Sequence, residues 1–152
     1  MPRFLGPPAI VGLLCLAACA TRAPVETNRA VSGDPRTVRG RVAAELARLG
    51  LSGGPAGDGG ALRASTAGAP EGWASCPPVL VGGGDVGRRM ATADREQAQV
   101  TVGFVPVASG TQVSVQAGFA ASYRNPISGY AFERSCRSNG VLEQRILAAA
   151  AG

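Results

Sequence analysis

The chain reads as a single α+β domain: a two-layer sandwich in which an antiparallel meander of three to four strands carries an N-terminal and a C-terminal helix on one face. Three observations predict it. Apolar residues recur with helical spacing over residues 38–49, with strand spacing over 97–123, and with helical spacing again after residue 141. A sheet with one apolar face and two amphipathic helices bury each other most economically as two layers.

The first helix has clear ends. Asp34 is a good N-cap, and Pro35 suits the first helical position because its missing N–H has no intrahelical partner there. Val38, Val42, Leu46 and Leu49 fall on one face, and Gly50 stands where a helix is stopped by a residue of positive φ. Gly40 weakens the early turns by about 1 kcal/mol relative to Ala, so this helix has to pack on something. Residues 52–75 are dominated by Gly, Ala and Pro and are expected to form a mobile loop, since they bury too little to offset their ordering entropy.

Past Cys76-Pro77-Pro78 the pattern changes. Residues 79–81 are a short strand candidate. Residues 97–107 place Val100, Val102 and Phe104 on one face, and Ser109-Gly110 makes a turn. Residues 111–123 alternate most cleanly, with Val113, Val115, Ala117, Phe119 and Ala121 facing one way. Gln112, Ser114, Gln116, Gly118 and Ser122 face the other, which predicts a sheet solvated on one side. Asn125-Pro126-Ile127-Ser128-Gly129 is a turn, residues 130–136 a third strand, and Ser138 or Asn139 caps a last helix bearing Leu142, Ile146 and Ala149.

The N-terminal residues give the most specific functional signal. Arg3 precedes an apolar run that is nearly unbroken over residues 9–18, too short for the ~20 residues a membrane span needs. It closes on Leu16-Ala17-Ala18-Cys19. The residues alone leave open an ordinary cleavable signal with a Cys beside its cut, or an uncleaved anchor. Leu, two small residues and Cys resemble the lipobox of bacterial lipoproteins. The resemblance covers about the first 22 residues and implies that residues 1–18, Cys15 included, are removed and that Cys19 becomes the acylated first residue. More than one acyl chain on a residue satisfies the requirement for stable membrane anchoring. Ala20, where an Asp would favour inner-membrane retention, implies an outer-membrane location facing the periplasm. Residues 19–33 then form a flexible tether, and 34–152 the domain. As a coil the tether reaches about 20 Å from the lipid.

Removal of residues 1–18 leaves 134 of the 152, enough for one domain. All fifteen basic residues are Arg, and fourteen of them then face ten acids. They are scattered, with Arg88-Arg89 the one adjacent pair, which does not resemble a nucleic-acid surface. An exported protein favours a disulfide between Cys76 and Cys136, the two thiols that remain.

The chemistry available is narrow. With no His and no Lys, Ser-His-Asp, Cys-His and Ser-Lys arrangements are excluded within this chain. Gly82-Gly83-Gly84-Asp85-Val86-Gly87 matches the dinucleotide-binding glycine pattern, but no helix signal follows it and no acid stands about 20 residues on; it reads as a flexible turn. Asp94, Glu96, Glu133 and Glu143 are the acids weighed for acid–base work; Asp94 and Glu96 occupy a polar turn before a strand and read as solvated surface charge. Trp73 reads as packing over the sheet edge or the disulfide rather than as a recognition platform. The expectation is a non-enzymatic lipoprotein with no catalytic residue, metal or cofactor. It would be held to the membrane through Cys19 and bind or scaffold an envelope protein. The alternative is a binder of an envelope lipid, a glycan or a small hydrophobic molecule.

Overall fold

The computed structural model describes residues 25–57, 60–69, 72–82 and 87–152. Cys19 and the lipobox lie outside the described residues, as do Gly83, Gly84, Asp85 and Val86.

The broad α+β expectation holds: most of the chain is antiparallel sheet, and two helices accompany it. In chain order the elements are β1 (Asn28–Val31), α1 (Pro35–Arg48), β2 (Ser52–Ala56), β3 (Ala61–Thr66), β4 (Ala74–Ser75), β5 (Val79–Gly82), β6 (Arg88–Ala91), β7 (Ala93–Val107), β8 (Gly110–Arg124), β9 (Ala131–Ser138) and α2 (Val141–Ala151). The main sheet has seven strands rather than three or four, in the order β2-β3-β7-β8-β9-β4, with β1 also paired to β8. β8 shares its far edge between two partners: β1 pairs with Thr111 to Ser114, and β9 with Phe119 to Arg124.

Two expected coils are strands. Residues 52–75 contain β2 and β3, which pair from Ser52↔Ser65 to Ala56↔Ala61, and also β4. Glycine and proline have poor strand propensity, but β3 is held independently: it pairs with β7, and its Leu62 and Ala64 are buried. β2 is then an edge strand, where Pro55 is tolerated because no further strand requires its N–H. Gly53 is obligatory in this pair, since a Cβ there would meet the Arg63 carbonyl oxygen at 2.0 Å. Within the expected tether, Asn28–Val31 is β1, and Thr27 accepts a hydrogen bond from the Val115 amide at 2.7 Å.

The helix readings largely stand. Asp34 caps α1, accepting from the Arg36 and Thr37 amides at 3.0 and 3.1 Å and from the Thr37 hydroxyl at 2.6 Å. Val38, Val42 and Leu46 are buried, and Gly50 takes a φ of +75°. α2 departs from the reading at its start. Its N-cap is Gly140, at a φ of +81°, and Ser138 acts from two residues further back, accepting the Gly140 amide and donating to Glu143 at 2.6 Å. The buried stripe of α2 carries Leu142, Ile146, Leu147 and Ala150, with Ala149 at its margin.

Val38 and Val42 of α1, Leu142 and Ile146 of α2, and Val102 and Val115 of the sheet belong to one core cluster. The alternation read in β8 is realised: Val113, Val115, Phe119, Ala121 and Tyr123 are buried and their neighbours are not. β7 and β8 are each fifteen residues long, roughly 50 Å, whereas the fourteen residues of α1 span roughly 21 Å. The helices therefore leave part of the apolar face uncovered. A separate ribbon, β5 paired with β6, covers that part: Ala91, Ala121 and Tyr123 form a second buried cluster with Val79, Val81 and Phe132 against it.

Hydrogen bonding to the Thr37 hydroxyl, then to the Thr37 and Arg36 amides, holds the Asp34 carboxyl below the usual aspartate range. A depressed folded-state value adds stability above the unfolded value and loses it as pH falls through the folded one. Urea midpoints of wild type and Asp34→Ala should therefore differ at pH 7 and converge below about pH 4. Val102→Ala removes part of a side chain with no exposed surface, and should cost about 1–3 kcal/mol in the same titration.

Candidate binding surfaces

Cys76 and Cys136 form the expected disulfide, with Cα atoms 4.7 Å apart. Its position follows from the strands on either side. β4 pairs with the end of β9, Ala74 opposite Ser138 and Ser75 opposite Arg137, so Cys76 arrives beside Cys136. Pro77 and Pro78 follow, and neither has an N–H to continue the ladder. The chain leaves the sheet edge there and returns as β5 over the sheet face. Tyr123 secures the crossing: its hydroxyl donates to the Pro77 carbonyl at 2.9 Å, and its ring stacks on Phe132 with centroids 5.5 Å apart.

Three hollows stand out among the described residues. Between β5 and β9 runs an open groove of about 480 Å³, with Val79, Leu80 and Val81 on one side and Tyr130, Phe132 and Arg134 on the other. Leu80, Met90 and Tyr130 nearby are 52, 53 and 72% exposed, a high exposure for large apolar residues so close together. On the solvated side of the sheet a depression of about 470 Å³ lies over Gly118 and Ala120 between Gln97, Gln99 and Ser65. Gln97 reaches across to Glu133 at 3.4 Å. The third hollow, about 230 Å³, is a cleft between α1 and the β2–β3 hairpin, walled by Ala43, Ala47, Gly54, Leu51 and Leu62. It exists because small residues on both walls leave space that longer side chains would fill.

The remaining residues singled out from the sequence are placed as follows. Asp94 is exposed, 4.0 Å from Arg124, at an irregularity in the β7–β8 register between Ala93 and Arg95. Glu96 lies opposite Ala121 and Glu133 opposite Ser122, so they face opposite sides of the sheet. Glu143 is not a surface charge: it is 3% exposed, one oxygen accepts the Ser138 hydroxyl, and the other has no hydrogen-bond partner. These acids are not gathered in one cleft. Trp73 is 3% exposed within the main core, and its carbonyl accepts the Asn139 amide at 2.9 Å; it is a packing residue. Gly82 and Gly87, with φ of +87° and +69°, flank the connection from β5 to β6. Two antiparallel strands thus adjoin the glycine pattern, where a dinucleotide site needs a strand followed by a helix. None of the described helices is long and apolar enough to cross a membrane.

The groove and the exposed residues around it were not legible in the sequence, because Pro77-Pro78 signals a break but not where the chain goes next. No family model, curated protein or solved structure matches this chain.

The disulfide closes a loop of sixty residues, which in the chain-entropy model contributes about 4 kcal/mol. Reduction, or Cys76→Ser with Cys136→Ser, should lower unfolding stability by that order and deprotect the amides of β5 and β6 in hydrogen exchange. Ser138→Ala leaves the buried Glu143 carboxyl without its partner and should cost about 1–3 kcal/mol in urea unfolding.

Proposed function

We propose that this chain is a lipid-anchored lipoprotein facing the periplasm, with a non-catalytic binding or scaffolding role in the cell envelope. Acyl chains on Cys19 hold it to the outer membrane, residues 20–27 lift the domain from the lipid, and its partner is another envelope protein. No cofactor or nucleic acid enters this reading. The finer arrangement is a two-layer sandwich, with the β7-β8-β9 meander at its centre and both helices on one layer.

The observation that supports a surface-binding role is the filled core. Val38, Val42, Val100, Val102, Leu142 and Ile146 have no exposed surface, and they occupy the layer between helices and sheet where an enclosed ligand would have to sit. A domain packed in this way recognises its partner on its outside. A second reading rests on the 230 Å³ cleft under α1. Apolar cavities of about 150 Å³ admit benzene, so this cleft has room for a short acyl chain or a single ring.

The anchor is tested by fractionation. Cys19→Ala should move the folded protein from the membrane to the soluble periplasmic fraction, and a variant that stays in the membrane fraction overturns the lipobox reading. Crosslinking in intact cells, followed by mass spectrometry, tests the role. An envelope protein recovered in stoichiometric amount supports scaffolding, whereas recovery of the chain alone with bound lipid moves the assignment to the cleft.

A further inference from the structure

The β5–β6 ribbon has two unlike faces. Val79, Val81 and Ala91 pack into the second core cluster, so strand alternation turns Leu80 outward, directly opposite Met90 in the register. Both are more than half exposed. The turn before β9 extends this apolar surface. Ile127 closes on Gly82, where a Cβ would lie 2.6 Å from the Ile127 Cδ1, and it remains 39% exposed. Tyr130 lines the same groove as Leu80 and is 72% exposed. Arg88 is in register with Gly82, two residues from Met90, and so shares the outer face of the ribbon. Among the described residues that outer face carries no acid. Glu96 is in register with Ala121 on the covered face of the sheet, Glu133 with Ser122 on the opposite face, and Asp94 lies 4.0 Å from Arg124.

We propose that Leu80, Met90, Ile127 and Tyr130 form a second membrane contact, resting in the lipid headgroup layer beside the bilayer that the anchor enters. The inference rests on the acyl anchor at Cys19 and adds the orientation of the domain on the lipid. The length of the lead is what selects a lipid surface as the occupant. The chain already lies against the domain at Val25, beside Gly140, and Thr27 accepts from the Val115 amide. Six residue steps, from 19 to 25, separate the acylated residue from that contact, a reach of at most about 22 Å. The β7–β8 hairpin is roughly 50 Å long, and β1 enters beside the middle of it. A body of that length, held near its midpoint by so short a lead, brings an end to the bilayer when it tilts. The lead also selects the side: β1, which it enters, and β9, which follows Tyr130, both pair with the far edge of β8. Four side chains are few for a stable protein interface, which takes about 20–30 residues a side, whereas shallow burial among headgroups needs no matching surface. Tyr130 suits that layer because its ring is apolar and its hydroxyl stays wet, and Arg88 keeps its guanidinium among lipid phosphates while its stem lies on apolar surface.

The test places the ¹⁵N-labelled protein, purified from membranes, in nanodiscs of phosphatidylcholine and phosphatidylglycerol that carry a paramagnetic headgroup lipid. The broadening of each amide is then read by NMR. Two maxima are expected, one at residues 25–28 beside the anchor and one at Leu80, Met90 and residues 127–130, with the hairpin tip at 105–110 spared. Leu80→Ser with Tyr130→Ser should abolish the second maximum and leave the urea midpoint unchanged, since both side chains are exposed. A single maximum at residues 25–28 overturns the proposal, as does a second maximum at the hairpin tip or on α1, or one that persists in the double variant. Shifts of Leu80 and Tyr130 that follow protein concentration in detergent without a bilayer overturn it in favour of a second copy. The two readings fail separately. Cys19→Ala that stays in the membrane fraction overturns the acyl anchor, whereas soluble Cys19→Ala together with a single maximum in the nanodisc protein overturns the second contact alone.

Discussion

The fold depends on one mismatch of length. β7 and β8 pair from Ala93↔Tyr123 to Val107↔Gly110, and their apolar side chains alternate onto one face for nearly the whole hairpin. Two helices of fourteen and eleven residues cover only part of that face, because a helix advances 1.5 Å per residue and a strand more than twice that. Left bare, the remainder around Ala121 and Tyr123 would be an exposed apolar strip on a long hairpin. The β5–β6 ribbon covers it, and the rest of the architecture arranges how that ribbon gets there.

Covering the strip forces the chain out of the sheet. β4 must first run along β9, and then the double proline must end that pairing so that β5 can pass over the face. The disulfide sits at this exit and restrains it covalently, since a ribbon of four-residue strands is marginal on its own. By the same manoeuvre, residues 131–135 of β9 have no pairing partner among the described residues on the side away from β8.

The acids illustrate how position decides role. Glu96 and Glu133 belong to neighbouring parts of one sheet yet face opposite sides, because register, not distance along the chain, sets which face a side chain takes. Glu143 lies in the first turn of α2, where a carboxylate is favoured by the helix dipole, and its bond to Ser138 ties the helix to the end of β9. Its burial makes it part of the joint between helix and sheet.

What the sequence determined by itself is local: the Asp34 cap and Gly50 stop of α1, the two-residue period of β8, and the turn at Asn125. Each is written in side chains whose own torsions and hydrogen bonds specify the conformation, so no distant contact is needed to read them. β1, β2 and β3 were legible only in the folded chain. Asn28–Val31 and Ser52–Ala56 have no apolar alternation of their own and become strands because β8 and β3 offer them a ladder. The cysteine pairing could be anticipated, since only two thiols remain past Cys19. The groove it creates could not, because its walls are brought together by the crossing at Pro77-Pro78, and the path of a chain after a break is decided by which apolar surface is still uncovered.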